Sequence, residues 1–473
     1  MTETSNKQQE KMEAIIALAK RRGFVYQGSE IYGGLAGTWD YGPLGVMLKK
    51  NIENLWWKMF VDDREDMYGV DAAIIMNPKA WVASGHVAGF SDPLVEDLKT
   101  KKRYRADHLL EEAGIDTKGM SLQTMDATIK EKGLKSPDKN ELGEVRQFNM
   151  MFTTNIGATQ DAGSVTYLRP ETAGGMFVNY KNVVDSFHPK LPFGLGQIGK
   201  AFRNEIAPRD FIFRVRELEQ MEIEYFIRPD TWEENFEHWR KEMWKFIEAI
   251  GLDKAKVHEL EVADADRAHY SKRTIDFEYD YPFGRKELYG LAYRGDFDLK
   301  SHQEGSKVNL EYFDEEQKEK FLPHVIEPSF GVGRTMLAIL AEAYTEDEMG
   351  GEARTYLKFT PEMAPIRVAV FPLLKNKPEL VAKAREVYTT LKKQIGNVLF
   401  DDNGNIGKRY RRQDEIGTPY CVTIDFDTLG EEKPELKDTV TLRNRDTGTQ
   451  ERIAISEAYK HRNLINSLES LGD

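Results

Sequence analysis

Arg203 and Glu205 stand two residues apart in KAFRNEIAPRDF, and Gln220, Glu222 and Glu224 follow the same spacing in ELEQMEIEYF. In an extended chain that spacing puts each set on one face, with Pro208, Arg209 and Asp210 in the loop between them. Two such strands side by side would make a floor for a charged ligand. Guanidinium groups pair with phosphate or carboxylate oxygens, and carboxylates accept from ammonium or amino groups. The competing reading is a solvated hairpin whose charges meet only water. The neighbouring segments must decide between them.

Two phosphate-loop patterns overlap this stretch and fail on context. FGLGQIGKAF contains GxGxxG at Gly194, Gly196 and Gly199, and nearly a P-loop ending in Lys200. Both motifs need a strand before them and a helix after. Here HPKLP precedes and the alternating AFRNEI follows, while Ala201 stands where a P-loop needs Ser or Thr. No HIGH, KMSKS, HExxH or EF-hand sequence occurs.

The elements that must position these residues belong to a chain of 473 residues, enough for two or three domains. Hydrophobic content of 40% and charged content of 31% are those of a soluble globular protein. No apolar run approaches the ~20 residues that span a bilayer, and the N-terminus lacks a signal peptide's apolar core. The expectation is a cytoplasmic protein without membrane contact. The only cysteine, Cys421, lies in the strand-like PYCVTID, so it forms no internal disulfide and a thiolate zinc site is excluded. The net charge of −13 argues against indiscriminate nucleic-acid binding but leaves room for one RNA partner held by local patches, such as KTKKRYR, KRYRR and LRNR.

From Pro43 the spacing of Leu48, Ile52, Leu55 and Met59 predicts a helix, followed by a short strand in VDAAIIMNP that stops at Pro78. Residues 95–145 read as a charged, mostly helical insertion. SVTYLRP reads as a strand, the segment after Glu171 as a helix, and 231–250 as a Trp-rich helix. Acidic strands follow in DFEYDYPFGRKELYGLAYRGDFDL, then an extended VIEPSFGVG opening an amphipathic helix at Arg334. Beyond KFTPEMAP, strands and helices alternate, which predicts a compact α/β domain of about 110 residues. His86 and His269 read as structural.

The order of long helix, strand ending in proline, arginine-bearing hairpin and Gly-rich turn opening a helix resembles the class II aminoacyl-tRNA synthetases. The closer resemblance is to the glycyl-tRNA synthetases of the single-polypeptide, homodimeric type. It is carried by GSEIYGGLAGTWDYGPLG (28–45), NPKAWVASGH (77–86), YLRPETAGGMFVNYKNV (167–183), the hairpin (191–226), IEPSFGVGR (326–334) and GKRYRRQDEIGTPYCVTIDFDT (407–428). Gly174 and Gly333 depart from the family pattern.

The resemblance implies an α+β catalytic domain on an antiparallel sheet with flanking helices (1–94 and 146–362). It places the insertion at 95–145 and an α/β anticodon-binding domain at 363–473. The activity implied is ATP-dependent attachment of glycine to tRNA(Gly) through a glycyl-adenylate. The alternative is a non-catalytic synthetase-like regulator that binds tRNA or an amino acid, although such proteins usually lose the ATP-contacting arginines. Two anions meet in adenylate formation, so the site needs cations and Mg²⁺ more than a covalent nucleophile.

By the same resemblance Arg203, Glu205 and Arg334 are catalytic. ATP is held by Arg203–Glu205 with Asn204, by Phe213, Arg214, Val215, Arg216, Glu217 and Leu218, by Glu287 and Leu288, and by Gly331, Val332, Gly333 and Arg334. Phe213 stacks on adenine, Arg334 covers its other face, and Glu287 is the candidate Mg²⁺ ligand. Glycine is held by Arg103, Glu171, Leu218, Glu219, Gln220, Met221 and Glu222, and by Glu327, Pro328, Ser329, Phe330 and Gly331. Glu171, Glu222 and Glu327 read the ammonium, with Ser329 helping. A homodimer interface is expected at the 43–60 helix and the strand ending at Pro78, on the aromatic content of Trp56, Trp57 and Phe60. Arg411, Arg412, Arg443 and the stacking ring of Tyr410 are the expected readers of the anticodon.

Overall fold

The computed structural model describes residues 3–117, 119–158, 164–264, 266–268, 270–431 and 433–460, so His269 lies outside the described residues. At its centre is a seven-stranded sheet in the order Val257–Glu261, Arg273–Tyr281, Gly284–Gly295, His324–Gly331, Glu217–Ile227, Phe193–Phe202, Met67–Gly69. All neighbours are antiparallel except the last pair, where Met67–Gly69 runs parallel to its neighbour.

Alternation along the Glu217–Ile227 strand explains how the sheet is both core and floor. Met221, Ile223, Tyr225 and Ile227 enter the main hydrophobic core, while Gln220, Glu222 and Glu224 occupy the opposite face. Both faces are buried. The main core is closed by Pro43–Trp57, Trp232–Ala249 and Val332–Ala343, and the second face is capped by Ala173–Phe187, whose Phe177 and Tyr180 pack on Phe193 and Phe226.

The helix from Pro43 begins as the sequence predicts, with proline in its first turn and Leu48, Ile52 and Leu55 buried. Gly45 is required there by close approach, because a Cβ would lie 1.9 Å from the carbonyl oxygen of Phe24. Trp56 and Phe60 are fully buried against Phe330, Trp239 and Phe246 of the same chain. Their aromatic content is therefore consumed by the chain's own core, and the argument that it marks a dimer interface fails.

Two further expectations change, and the rejection of the P-loop holds. The strand lies at Met67–Gly69, not in VDAAIIMNP, and Pro78 opens the helix Pro78–Ala83, with the Asn77 side chain accepting from the Lys79 N–H at 3.0 Å. The stretch 95–145 is mixed instead of mostly helical: helices Ala106–Glu112 and Leu122–Glu131 pack on a three-stranded sheet of Ser91–Glu96, Arg103–Arg105 and Arg146–Asn149. The P-loop pattern lies inside the Phe193–Phe202 strand, with no helix behind it.

The C-terminal unit is a five-stranded sheet, Val398–Phe400, Val368–Pro372, Tyr420–Ile424, Thr439–Asn444, Gln450–Ala454, with helices Pro378–Ile395 and Ile406–Ile416. The sequence reading ended at the Thr439 strand; one more follows. The first three strands are parallel and the last two antiparallel. Cys421 is buried in the central strand. The antiparallel catalytic sheet followed by this smaller α/β unit is the fold class the sequence led us to expect.

The basic residues of this unit are placed otherwise than expected. Arg443 is buried, donating to both carboxylate oxygens of Asp414 at 2.7 and 2.9 Å. Tyr410 packs edge-on against Phe371 and bonds Thr423, with the Arg443 guanidinium over its ring. Neither group is free to meet a base. Arg412 is paired with Asp401 and half in solvent; Arg411 reaches Glu352 from the surface.

Candidate active site

Between the hairpin and the helix Val332–Ala343 lies a cavity of about 310 Å³. Its wall is built by the loop 203–216, which is fastened at each end. The Arg203 N–H donates to the Arg216 carbonyl (2.9 Å), and the Arg216 side chain donates to the carbonyls of Ala36 (2.6 Å) and Glu205 (3.0 Å). Arg203 is further held by Nε donating to the Pro170 carbonyl at 3.0 Å.

Of the expected ATP residues, Arg203, Glu205, Phe213, Arg214, Val215, Glu217, Leu218, Glu287, Leu288, Gly331, Gly333 and Arg334 line the cavity. Asn204 instead donates its N–H to the Met150 carbonyl, Arg216 braces the loop, and Val332 is in the main core. Trp39, Tyr41, Arg105 and Met150 also line the cavity and had no signal in the sequence beyond their place beside matched segments. Arg103, expected at glycine, points away: it is more than half exposed and faces Glu96, while its neighbour Arg105 reaches the cavity.

Charge within the cavity is divided. Burial together with Arg105, Arg209 and Arg334 presses down on the Arg214 guanidinium, against the opposing pull of Glu205. Cations held this close and only partly compensated suit a polyphosphate. Arg334 lies over the Phe213 ring at 4.6 Å and reaches Glu287 Oε2 at 3.0 Å. That guanidinium holds the half-exposed Glu287 below the usual carboxylate range. Glu278 is Glu287's cross-strand partner, and Asp276 nearby is pushed up to about 7 by burial and by Glu287 and Glu278.

Glu171, Glu222 and Glu327 do not line this cavity; they lie behind it, where its lining residues Gln220 and Ser329 bond Glu222. The register pairs Gln220 with Gly331, Glu222 with Ser329, and Ser329 in turn with Gly290. Small residues thus sit beside charged ones, and a Cβ on Gly290 would meet only Asp276, at 4.0 Å. Glu222 is held by Ser329 Oγ at 2.8 Å, by Gln220 Nε2 at 3.3 Å and by the Thr172 hydroxyl. Glu327 pairs with Arg294, which is itself bidentate to Asp298 at 2.7 Å on both arms. Glu171 faces His86 at 3.2 Å. Glu219 and Gln220 line the cavity as expected, whereas Met221 and Phe330 belong to the core, and Pro328 pairs with Leu291 on the sheet.

These carboxylates do not titrate alike. Burial would raise Glu171, but His86, Arg294 and Arg203 overcome it and hold it at about 2. Glu222 is raised by burial and by Glu171. Glu327 is raised further, by burial and by Glu222 and Glu171, and Glu224 by burial and by Glu327, with Arg294 opposing both. Glu224, fully buried, has no hydrogen-bond partner on either carboxylate oxygen; the sequence placed it on the charged face without assigning it a role. Five carboxylates around one guanidinium make a site with surplus negative charge, fit to receive a cation.

Residues 152–343 match the tRNA synthetase class II core domain (G, H, P, S and T) family, and residues 367–461 match the anticodon binding domain family. The chain is 49% identical over 465 residues to a glycine–tRNA ligase of Clostridium acetobutylicum, covering 96% of this chain and 98% of that one. It is 50% identical over 491 residues to a glycine–tRNA ligase of Deinococcus radiodurans, covering 94% and 97%. Among solved structures, a Giardia lamblia prolyl-tRNA synthetase in complex with prolyl-adenylate aligns with TM-score 0.65 and 17% identity, over 97% of this chain and 76% of that one. At that identity the likeness concerns the fold.

Proposed function

Because the chain belongs to the glycine–tRNA ligase family of class II synthetases, we propose that it activates glycine with ATP and transfers the glycyl group to tRNA(Gly). The observation that carries this reading is an arginine-lined cavity backed, behind its lining residues Gln220 and Ser329, by a cluster of buried carboxylates. In this reading ATP lies along the mouth. Its adenine meets Phe213, and its phosphates meet Arg203, Arg214 and Arg334. The base must part Phe213 from Arg334: two stacking contacts need about 7 Å, against the present 4.6 Å. Arg334 therefore moves when ATP enters.

Glycine enters with its ammonium toward Glu171 and Glu327. Each of these has one oxygen engaged, by His86 and Arg294 respectively, so each retains acceptor capacity. Glu222 is already satisfied by three side-chain donors and serves more as a fixed anion than as a free acceptor. The carboxylate end of glycine then faces Arg203, which orients it for attack on the α-phosphate and stabilises the charge that develops there. Glycine carries no side chain to be read, so larger amino acids are excluded by space.

Among the described residues no three carboxylates gather into a metal site, so Mg²⁺ would be held by Glu287 together with the ATP phosphates, beside the phosphate-binding arginines. When bound, Mg²⁺ supplies neutralisation of phosphate charge. We place the protein in the cytoplasm and as a homodimer on family resemblance. The second assignment rests on that resemblance. Sedimentation that gives a monomer at micromolar concentration would count against it.

Glycine-dependent exchange of pyrophosphate into ATP, with Mg²⁺ and without tRNA, tests the activity. Well-folded protein that fails to exchange at saturating glycine would overturn the reading.

A further inference from the structure

Glu171 is the one proposed ammonium acceptor whose side chain is fixed from outside the central sheet. Its partner, His86, opens the single turn His86–Gly89, set off from the preceding helix by Gly85 in the left-handed region (φ 82°). His86 is 7% exposed and both ring nitrogens are engaged: Nε2 lies 3.2 Å from Glu171 Oε2, and Nδ1 lies 2.8 Å from Ser84 Oγ. Trp81 meets the imidazole edge-on at 5.4 Å.

The other end of the turn touches the opposite side of the cleft. Phe90 lies four residues on and so shares the face of His86. Its ring is 5.5 Å from the Arg203 guanidinium carbon. The backbone closes the link: the Met150 N–H donates to the Phe90 carbonyl at 3.0 Å, and the Asn204 N–H donates to the Met150 carbonyl at 2.7 Å. One turn therefore contacts both the acidic and the basic end of the glycine site.

We infer that the turn 86–90 is a spacer for glycine, with His86 as a positioning residue that aims Glu171 at the ammonium while Phe90 holds Arg203 at the carboxylate. This rests on the assignment of Glu171 and Arg203 to the two ends of glycine. The imidazole donates to one carboxylate oxygen and leaves the other for substrate. The hydroxyl of Ser84 and the edge of Trp81 fix the ring plane, so the free oxygen has one direction. A ring that only filled space would leave both nitrogens uncommitted or wet.

Two non-hydrolysable adenylate analogues separate positioning from mere packing: glycyl-sulfamoyl adenosine, and its glycolyl counterpart with a hydroxyl in place of the amine. Calorimetry on the full chain should give tighter binding of the amine. His86→Leu should weaken the amine analogue about tenfold or more, as loss of an orienting partner does, and leave the glycolyl analogue nearly unchanged. His86→Gln, which can still donate toward Glu171, should restore most of the preference. If His86→Leu does not fold, Ser84→Ala and His86→Gln carry the test. Ser84→Ala should weaken only the amine analogue, by a few-fold, and His86→Gln should keep most of the preference. Equal weakening of both analogues, or none, overturns the inference. Glu171→Gln separates the two levels. If it leaves the preference intact, the ammonium assignment itself is wrong. If it removes the preference while His86 substitution does nothing, only the spacer fails.

Discussion

Arg203 and the Glu224–Glu327 pair show how differently single residues are set up for work. Arg203 is held by the Pro170 carbonyl and flanked by Phe90, so its charge is aimed before substrate arrives. Arg203→Ala should lower glycine-dependent exchange by about 10²-fold or more, as removal of a transition-state donor does, with little change in melting temperature. Near-normal exchange would show that the hairpin is not the reacting surface. Glu224 is raised by burial and by Glu327, and Glu327 by burial and by Glu222 and Glu171, with Arg294 opposing and Asp298 adding to both. A raised carboxyl is neutral below its own pKa, and an ammonium needs the anion. The KM for glycine should therefore fall as pH rises from about 6 to about 8.5. Glu224→Gln removes one of the two like charges, so the fall should move to lower pH. A KM that rises with pH across this range would contradict the assignment.

At the scale of elements, the two glycines that depart from the family pattern are explained by close approach. A Cβ on Gly174 would lie 2.8 Å from the indole of Trp81, whose edge rests on His86. A Cβ on Gly333 would lie 2.9 Å from the Ile212 carbonyl, where the nucleotide loop meets the start of the Val332–Ala343 helix. Gly174→Ala should cost about 1–3 kcal/mol, the usual result of overpacking a rigid neighbour. Through Trp81 it should also raise the KM for glycine more than that for ATP. Thermal unfolding and exchange kinetics on one preparation measure both, and an unchanged melting temperature would show that Trp81 moves freely.

Across the whole molecule, the two units are joined by buried charge. Asp414, on the Ile406–Ile416 helix, is fully buried between Arg443 and Arg354; Arg354 comes from the hairpin Tyr344–Met349/Glu352–Leu357 that continues the Arg334 helix. Arg21 and Arg22, at the end of the helix Glu3–Arg22, reach Glu415, and Asn51 donates to the carbonyls of Met363 and Ala364. Asp414→Ala leaves two buried guanidinium groups short of a partner, which should cost about 3–5 kcal/mol. Because every residue lining the cavity lies elsewhere, glycine-dependent exchange should persist while charging of tRNA falls. Equal loss of both activities would place this joint in the adenylation machinery. Retention of both would show that the joint does not matter.

The sequence by itself determined the charged hairpin, the helices beside it and which residues of each strand share a face. Period-two spacing is local, so Gln220, Glu222 and Glu224 fall on one side of a strand wherever that strand is placed. The Gly-rich turn before Arg334 and the helix from Pro43 are local signals of the same kind. The tertiary structure alone decided what each charged or aromatic group meets. KRYRRQ and LRNR read as a basic surface, yet Arg409 and Arg443 are buried, because carbonyls and Asp414 from distant segments satisfy them. Trp56 and Phe60 read as an interface, yet the strands and helix that cover them arrive from well over a hundred residues away. His86 and Glu171 are 85 positions apart, and nothing in either segment marks the other as its partner. Spacing along a chain fixes direction, whereas partnership depends on contacts between segments that the local pattern does not encode.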